Sequence, residues 1–193
     1  MASRARLNRA AVVRAAVALA DSEGLEAVTL TRLAAELGVR PPSLYNHVAG
    51  QEGIRHELAL YGVRELGRRL ERAAVGKSRD EALRAVAHAY RAFAHEHPRL
   101  YAATLRAPTP DDAELRAVSE DLLAVIAAIF AGFGLAGDDA LHATRALRSL
   151  THGFVAMEAA GGFGLPLDLD ESYHRLVDIF IAGLHATGPP GRP

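Results

Sequence analysis

Apolar residues recur at helical spacing along nearly the whole chain, and no stretch alternates convincingly with period two. Alanine, leucine and arginine, all strong helix formers, dominate. Glycine and proline fall in clusters that punctuate the pattern, among them Gly38 to Pro42, His97-Pro98, Pro108 to Pro110, Gly132 to Gly137 and Gly161 to Pro166. Between these marks the pattern predicts nine helices, roughly at 8–23, 29–37, 42–48, 51–75, 79–96, 98–106, 111–132, 138–161 and 169–186. The expected fold is therefore all-α. The first three helices are short and the later ones long, which predicts a three-helix head over residues 1–50 and a helical-bundle body over 51–187. Residues 188–193, Gly-Pro-Pro-Gly-Arg-Pro, are expected to form a disordered tail.

One segment carries more than packing. Leu30, Leu33, Ala34 and Leu37 lie at i, i+3, i+4 and i+7, one apolar face of a short helix. Gly38 supplies the left-handed residue that closes it, and Val39 plugs the corner that follows. Pro42 suits the first position of the next helix, where a missing N–H costs nothing. Leu44 and Val48, four apart, anchor that helix inward. A short helix, a glycine turn and a second short helix make a helix-turn-helix layout. With Leu44 and Val48 buried, Asn46 points outward with Pro42 and Ser43 near it, and Tyr45 and His47 flank it. Such a face suits a major groove: Asn pairs bidentately with adenine, Ser serves either base, and flanking side chains reach phosphates. The bland alternative is a helix whose polar side chains face only water.

The run Leu37-Gly38-Val39, then Ser43-Leu44-Tyr45-Asn46-His47-Val48, resembles the recognition motif of the TetR family. The helix Thr31 to Leu37 and the turn Asp21-Ser22-Glu23-Gly24-Leu25 are similar to that family's second helix and its first turn, so the likeness covers about residues 8–56. The resemblance implies base or phosphate contacts by Arg40, Pro41, Pro42, Ser43, Tyr45, Asn46 and His47, with phosphate support from Thr29 and Thr31. Family members often open the fourth helix with a lysine that grips a phosphate. Here Gln51 or a neighbour stands there, with Arg4, Arg6 and Arg55 as the nearest cationic substitutes. Further on, Arg148 to Phe154 and Gly161-Gly162-Phe163 look like one TetR subfamily with a His-Gly element, here His152-Gly153. Some members have a tryptophan beside it, where this chain has Thr151. The family likeness also implies that the last two helices pair with their copies in a homodimer. Independently, Leu176, Ile179, Phe180 and Leu184 form an apolar stripe on the last helix, expected at that interface unless it packs only within its own subunit.

Charge adds a little. The net charge is −1, but residues 1–56 hold seven arginines against five acids, an excess of +2 that leaves −3 for the remainder. The first twenty residues carry four arginines and no acid. A basic front on an acidic body fits a DNA binder, though ordinary proteins scatter as widely. There are no cysteines, so disulfides and thiolate metal sites are excluded. Neither a membrane span nor a secretory signal is legible, which predicts a cytoplasmic protein.

An effector pocket is expected among the fourth to eighth helices, lined by Tyr61, Tyr90, Phe93, Tyr101 and Leu105 with Ile126, Phe130, Phe154 and Met157. Apolar residues at helical spacing are more often plain core. No charged cluster identifies the ligand, which is therefore expected to be an apolar or mildly polar organic molecule. His88, His95 and His97 do not make a metal motif, since nothing fixes a third ligand, and neither metal nor other cofactor is expected. No nucleophile elbow or phosphate loop is present, so the chain is not expected to be an enzyme. The expected function is a dimeric repressor. It binds a palindromic double-stranded operator and is released by a small molecule, with the fourth helix linking pocket to head. The competing reading is a helical ligand-binding or interaction protein without specific DNA binding.

Overall fold

The computed structural model describes residues 7–187, and over them the regular secondary structure is entirely helical. Eight α-helices run in order: α1 (Arg9–Glu23), α2 (Leu30–Glu36), α3 (Gly50–Ala74), α4 (Arg79–Glu96), α5 (Pro98–Ala103), α6 (Ala113–Ala131), α7 (Gly137–Ala159) and α8 (Leu169–Thr187). Two 3₁₀ segments, Leu25–Ala27 and Pro41–Asn46, flank α2. The predicted tail, like Arg4 and Arg6, lies outside the described residues.

Two elements depart from the sequence pattern for local reasons. The second helix of the helix-turn-helix is a 3₁₀ helix, not an α-helix. Pro41 and Pro42 contribute no N–H, so the first available donor is Ser43, which bonds back three residues to the Arg40 carbonyl at 2.9 Å. The helix predicted to reach residue 106 stops at Ala103. There Thr104 N–H reaches the Tyr101 carbonyl at 2.9 Å, and the Thr104 hydroxyl donates to that carbonyl at 2.7 Å. Pro108 and Pro110 then bar a continuation.

The chain forms two compact units. The first takes residues up to 65 with 97–118, and the second takes 66–96 with those from 119 on. The divisions fall inside α3, between α4 and α5, and inside α6.

In the first unit, α1 buries Val12, Ala16, Leu19 and Ala20, an i, i+4, i+7, i+8 stripe, against the short elements that follow. Asn8 caps α1, its side-chain oxygen accepting from Ala11 N–H at 2.9 Å. Two long-range contacts add to this apolar core. Gly62 lets α5 approach α3, since a Cβ there would lie 2.7 Å from the Thr104 methyl and 3.2 Å from the Leu100 carbonyl oxygen. Arg9 of α1 pairs with Glu57 of α3 at 2.7 Å and with Glu114 of α6 at 3.0 Å; Arg64 joins Glu114 at 3.1 Å.

In the second unit, α4, α7 and α8 pack together around Phe154 and Tyr173, whose ring centroids lie 5.0 Å apart. The Tyr173 hydroxyl donates to the Ala87 carbonyl at 2.8 Å and lies 3.1 Å from the Thr151 hydroxyl. Burial pushes its pKa up to about 12, so it stays a neutral donor. Thr151, standing where the family resemblance offers a tryptophan, thus gives a fully buried partner to a buried tyrosine.

Candidate nucleic-acid interface

Thr29 begins the interface. Its hydroxyl oxygen accepts from Arg32 N–H at 3.2 Å and caps α2, which leaves its own O–H to donate outward. Leu33 and Ala34 bury the inner face of α2 while Thr31 stays exposed. At the other end Gly38 takes φ +64°. Val39 N–H then bonds the Ala34 carbonyl at 2.9 Å and Gly38 N–H bonds the Ala35 carbonyl at 3.1 Å, the paired bonds of a Schellman closure. The corner is therefore fixed by backbone geometry that a side-chain-bearing residue rarely adopts.

Beyond the corner, Leu44 and Val48 are buried and orient the 3₁₀ segment as the sequence pattern requires. The outward surface consists of Arg40, Pro41, Pro42, Tyr45 and Asn46, all exposed, with Ser43 and His47 half-buried at its edges. Tyr45 is 61% exposed although it is a large aromatic. The side chains of Arg40, Ser43, Tyr45, Asn46 and His47 make no hydrogen bond or ion pair with any described residue. A surface of uncommitted donors and acceptors, held by two buried anchors under a rigid corner, has the chemistry needed to read base edges and grip phosphates.

Gln51 behaves differently. Its amide donates to the Val28 carbonyl at 2.5 Å, tying the start of α3 to the residue that precedes the Thr29 cap. Arg32 is committed to Glu23 at 2.7 Å and Arg55 to Glu52 at 3.1 Å. Hydrogen bonding to Glu23 raises the Arg32 pKa further, so it remains a cation throughout.

The expected body residues are mostly packed away. Tyr90, Phe93, Ile126, Phe130 and Phe154 are buried in the second unit and Tyr101 in the first, while Tyr61 is half-buried and Leu105 and Met157 are exposed. None of the nine lines the cavities described here. One of these, about 460 Å³, lies wholly within the first unit, between the 3₁₀ turn Leu25–Ala27, α3, α5 and the start of α6. An open one in the second unit is lined by His88, Arg91, Ala92, His95, Glu158 and Asp170. Its floor is a closed ion-pair cluster. Arg91 holds Glu158 at 2.6 Å and Asp170 at 2.7 Å, His95 reaches Glu158 at 2.6 Å, and the Arg91 guanidinium lies over the Tyr173 ring at 5.0 Å. Hydrogen bonding to Arg91 lowers the Glu158 pKa, and burial lowers that of His88. Among the described residues no group of three or more His, Asp or Glu is placed to hold a metal ion. His97 pairs with Asp21 at 3.0 Å. Among the same residues, no helix is long and apolar enough to cross a membrane.

On α8 the predicted stripe divides. Leu184 packs inward with Tyr173, Val177 and Ile181, whereas Ile179 is 69% exposed and Leu176 and Phe180 are half-buried. The Phe180 ring meets Phe130 edge-on at 6.4 Å. The sequence pattern did not reveal the Arg9–Glu57–Glu114–Arg64 network or the cavity in the first unit. The network's partners are 48 to 105 residues apart, and no local spacing signals them.

These features define a helix-turn-helix DNA-binding protein with an all-α body. The comparisons carry this further. A model described as bacterial regulatory proteins, tetR family, matches residues 12–58, and one described as tetracyclin repressor-like, C-terminal domain, matches residues 83–180. An uncharacterized HTH-type transcriptional regulator of Mycobacterium tuberculosis is 35% identical over 93% of this chain and 83% of its own. The uncharacterized HTH-type regulator YobS of Bacillus subtilis is 37% identical over 95% of this chain and 96% of its own. Among solved structures, a protein of unknown function from Rhodococcus sp. RHA1 superposes with a TM-score of 0.78 at 24% identity, covering 96% of this chain and 97% of its own. A single-substitution variant of TetR from Acinetobacter baumannii, in complex with minocycline, gives 0.74 at 21% identity over 96% and 100%. The chain belongs to the TetR family of helix-turn-helix transcriptional regulators.

Proposed function

We propose that this regulator is a homodimeric repressor. Its two heads read half-sites of a palindromic operator in adjacent major grooves, and a small organic effector releases it. The observation that carries the reading is the surface Arg40–His47: polar, uncommitted, and oriented by the buried pair Leu44 and Val48. Half-sites bound by a symmetric dimer lie about 34–36 Å apart or a multiple of that. The dimer is supported by Ile179, a large apolar side chain left exposed in the middle of the last helix beside Leu176 and Phe180. Ligand release is supported by the minocycline complex of the structural neighbour from Acinetobacter and by a (S)-DNPA complex of Streptomyces coelicolor ActR, which superposes at 0.70 with 20% identity. The effector acts by stabilising a dimer conformation in which the heads no longer fit their grooves, and it shifts operator affinity only as far as it discriminates between the two states. The protein works in the cytoplasm, without a metal or other cofactor and without catalytic activity.

A mobility shift with the DNA upstream of the protein's own gene tests this. A discrete complex that withstands competitor DNA is expected. Failure to shift that DNA even at low salt would leave a helical binding protein without an operator there.

A further inference from the structure

We infer that the cavity of about 460 Å³ inside the first unit is an effector site, and that its ligand is an uncharged, largely apolar ring compound bearing a hydroxyl group. Its effect on the operator rests on the regulator reading above. Its size falls in the range of small-molecule pockets. Its apolar wall is built from Leu25, Val28, Ile54, Leu58 and Leu115, with the small side chains of Ala59 and Ala102 leaving the space open.

The charges around it select the ligand class. Glu52 is closed onto Arg55 at 3.1 Å and His56 onto Asp112 at 2.9 Å. Three side chains remain: Arg106, which can only donate, Glu26, which can only accept, and Thr109, whose hydroxyl can do both. None of the three makes a side-chain hydrogen bond or ion pair with any described residue. An open cationic donor, an open anionic acceptor and the Thr109 hydroxyl on one lining match a neutral group that both accepts and donates, which is a hydroxyl. A permanent anion would meet Glu26 and a permanent cation would meet Arg106.

The walls connect the cavity to the reading head. Val28 precedes the Thr29 cap of α2, and its carbonyl receives the Gln51 amide. On the opposite wall, Asp112 accepts from Leu115 N–H at 3.0 Å at the start of α6, and Glu114 in that same turn holds Arg9 of α1. An occupant seated between Val28 and Leu115 therefore bears on the segments that position both α2 and α1.

The test is a fluorescence titration of the full-length protein with 2-naphthol, using naphthalene-2-sulfonate as the charged control. Saturable binding of 2-naphthol, at least tenfold tighter than the sulfonate, is expected. Ala102→Phe should abolish it; position 102 is exposed, so this variant should fold and melt like the parent. Ala59→Phe fills the cavity from the other side and should do the same. Hydrogen exchange should show slowing at 25–28 and 112–115 on 2-naphthol binding. No saturable binding, equal binding of the sulfonate, or binding indifferent to both fillings overturns the inference. A protein that shifts its DNA but ignores 2-naphthol loses this site and keeps the regulator reading. One that binds 2-naphthol at this site but shifts no DNA keeps the site and loses the operator.

Discussion

The Gln51 side-chain amide donates to the main-chain carbonyl of Val28 at 2.5 Å, a bond between residues 23 apart. Val28 is itself buried, so its carbonyl has little recourse to water. The bond fixes the first turn of α3 against the residue before the α2 cap, and so sets where the recognition corner begins. Gln51→Ala should therefore lower unfolding free energy by about 1–3 kcal/mol, the cost of a buried acceptor left unmade. It should also weaken operator binding more than loss of an exposed contact would explain. Chemical denaturation and an operator titration read the two effects. A variant as stable as the parent would show that the bond positions nothing.

Tyr45 and Asn46 are exposed and uncommitted, so replacing either with alanine should leave the melting temperature within a degree or two of the parent. Their effects on DNA should differ. Asn46→Ala should cost about 1–3 kcal/mol and relax base preference at one position of each half-site. Tyr45→Ala, on the flank that faces phosphate, should weaken binding to all sequences alike. Selection of bound sequences from a randomised pool distinguishes the two. An unchanged preference in Asn46→Ala would remove that residue from base reading.

The part of the interface legible in the sequence is the part fixed by local rules. Gly38 with a positive φ, Leu33 and Ala34 on one helical face, and Leu44 and Val48 four apart all follow from neighbours in the chain. What was not legible depends on competition or distance. Leu44 and Val48 are inward in an α-helix and also here, so their spacing could not show that Pro41 and Pro42 tighten the segment to 3₁₀. The apolar stripe on α8 named Leu184 and Ile179 together, yet only tertiary packing decides that Leu184 turns inward and Ile179 outward. The expected pocket linings are large apolar residues, most of which are buried here. The cavity in the first unit lies where Ala59, Ala102 and Ala103 leave room, and small residues give no signal of what they fail to fill.

Stability should depend on pH through Glu158. Its carboxylate takes hydrogen bonds from Arg91 and pairs with His95, which holds its pKa below the usual glutamate value. Below the usual range the unfolded chain takes up a proton that the folded carboxylate resists, so folding loses free energy as pH falls. The contribution is fully present above about pH 5 and disappears as pH drops through the depressed folded value. Asp112, Glu114 and Asp178, also depressed by hydrogen bonds, act in the same direction. Unfolding free energy measured from pH 6 to pH 3 should fall, and Glu158→Gln should show a shallower fall from a lower starting stability. An identical slope in the variant would mean that Glu158 titrates alike in both states.

Ile179 should decide the oligomeric state. A large aliphatic side chain that is 69% exposed in mid-helix gains little burial from the described residues of its own subunit, while Tyr173, Val177, Ile181 and Leu184 are the buried face of α8. The substitution Ile179→Glu therefore leaves the subunit core untouched. If α8 meets its copy, it places two like charges in an apolar interface, where burying each unpaired carboxylate costs several kcal/mol. Sedimentation of the parent should give twice the 20.5 kDa chain mass, and the variant should move toward the single-chain value with its helical circular dichroism preserved. Operator affinity should fall with it, because each head then binds one half-site alone. A variant that remains dimeric would put the subunit contact on another face and leave Ile179 as an isolated exposed side chain.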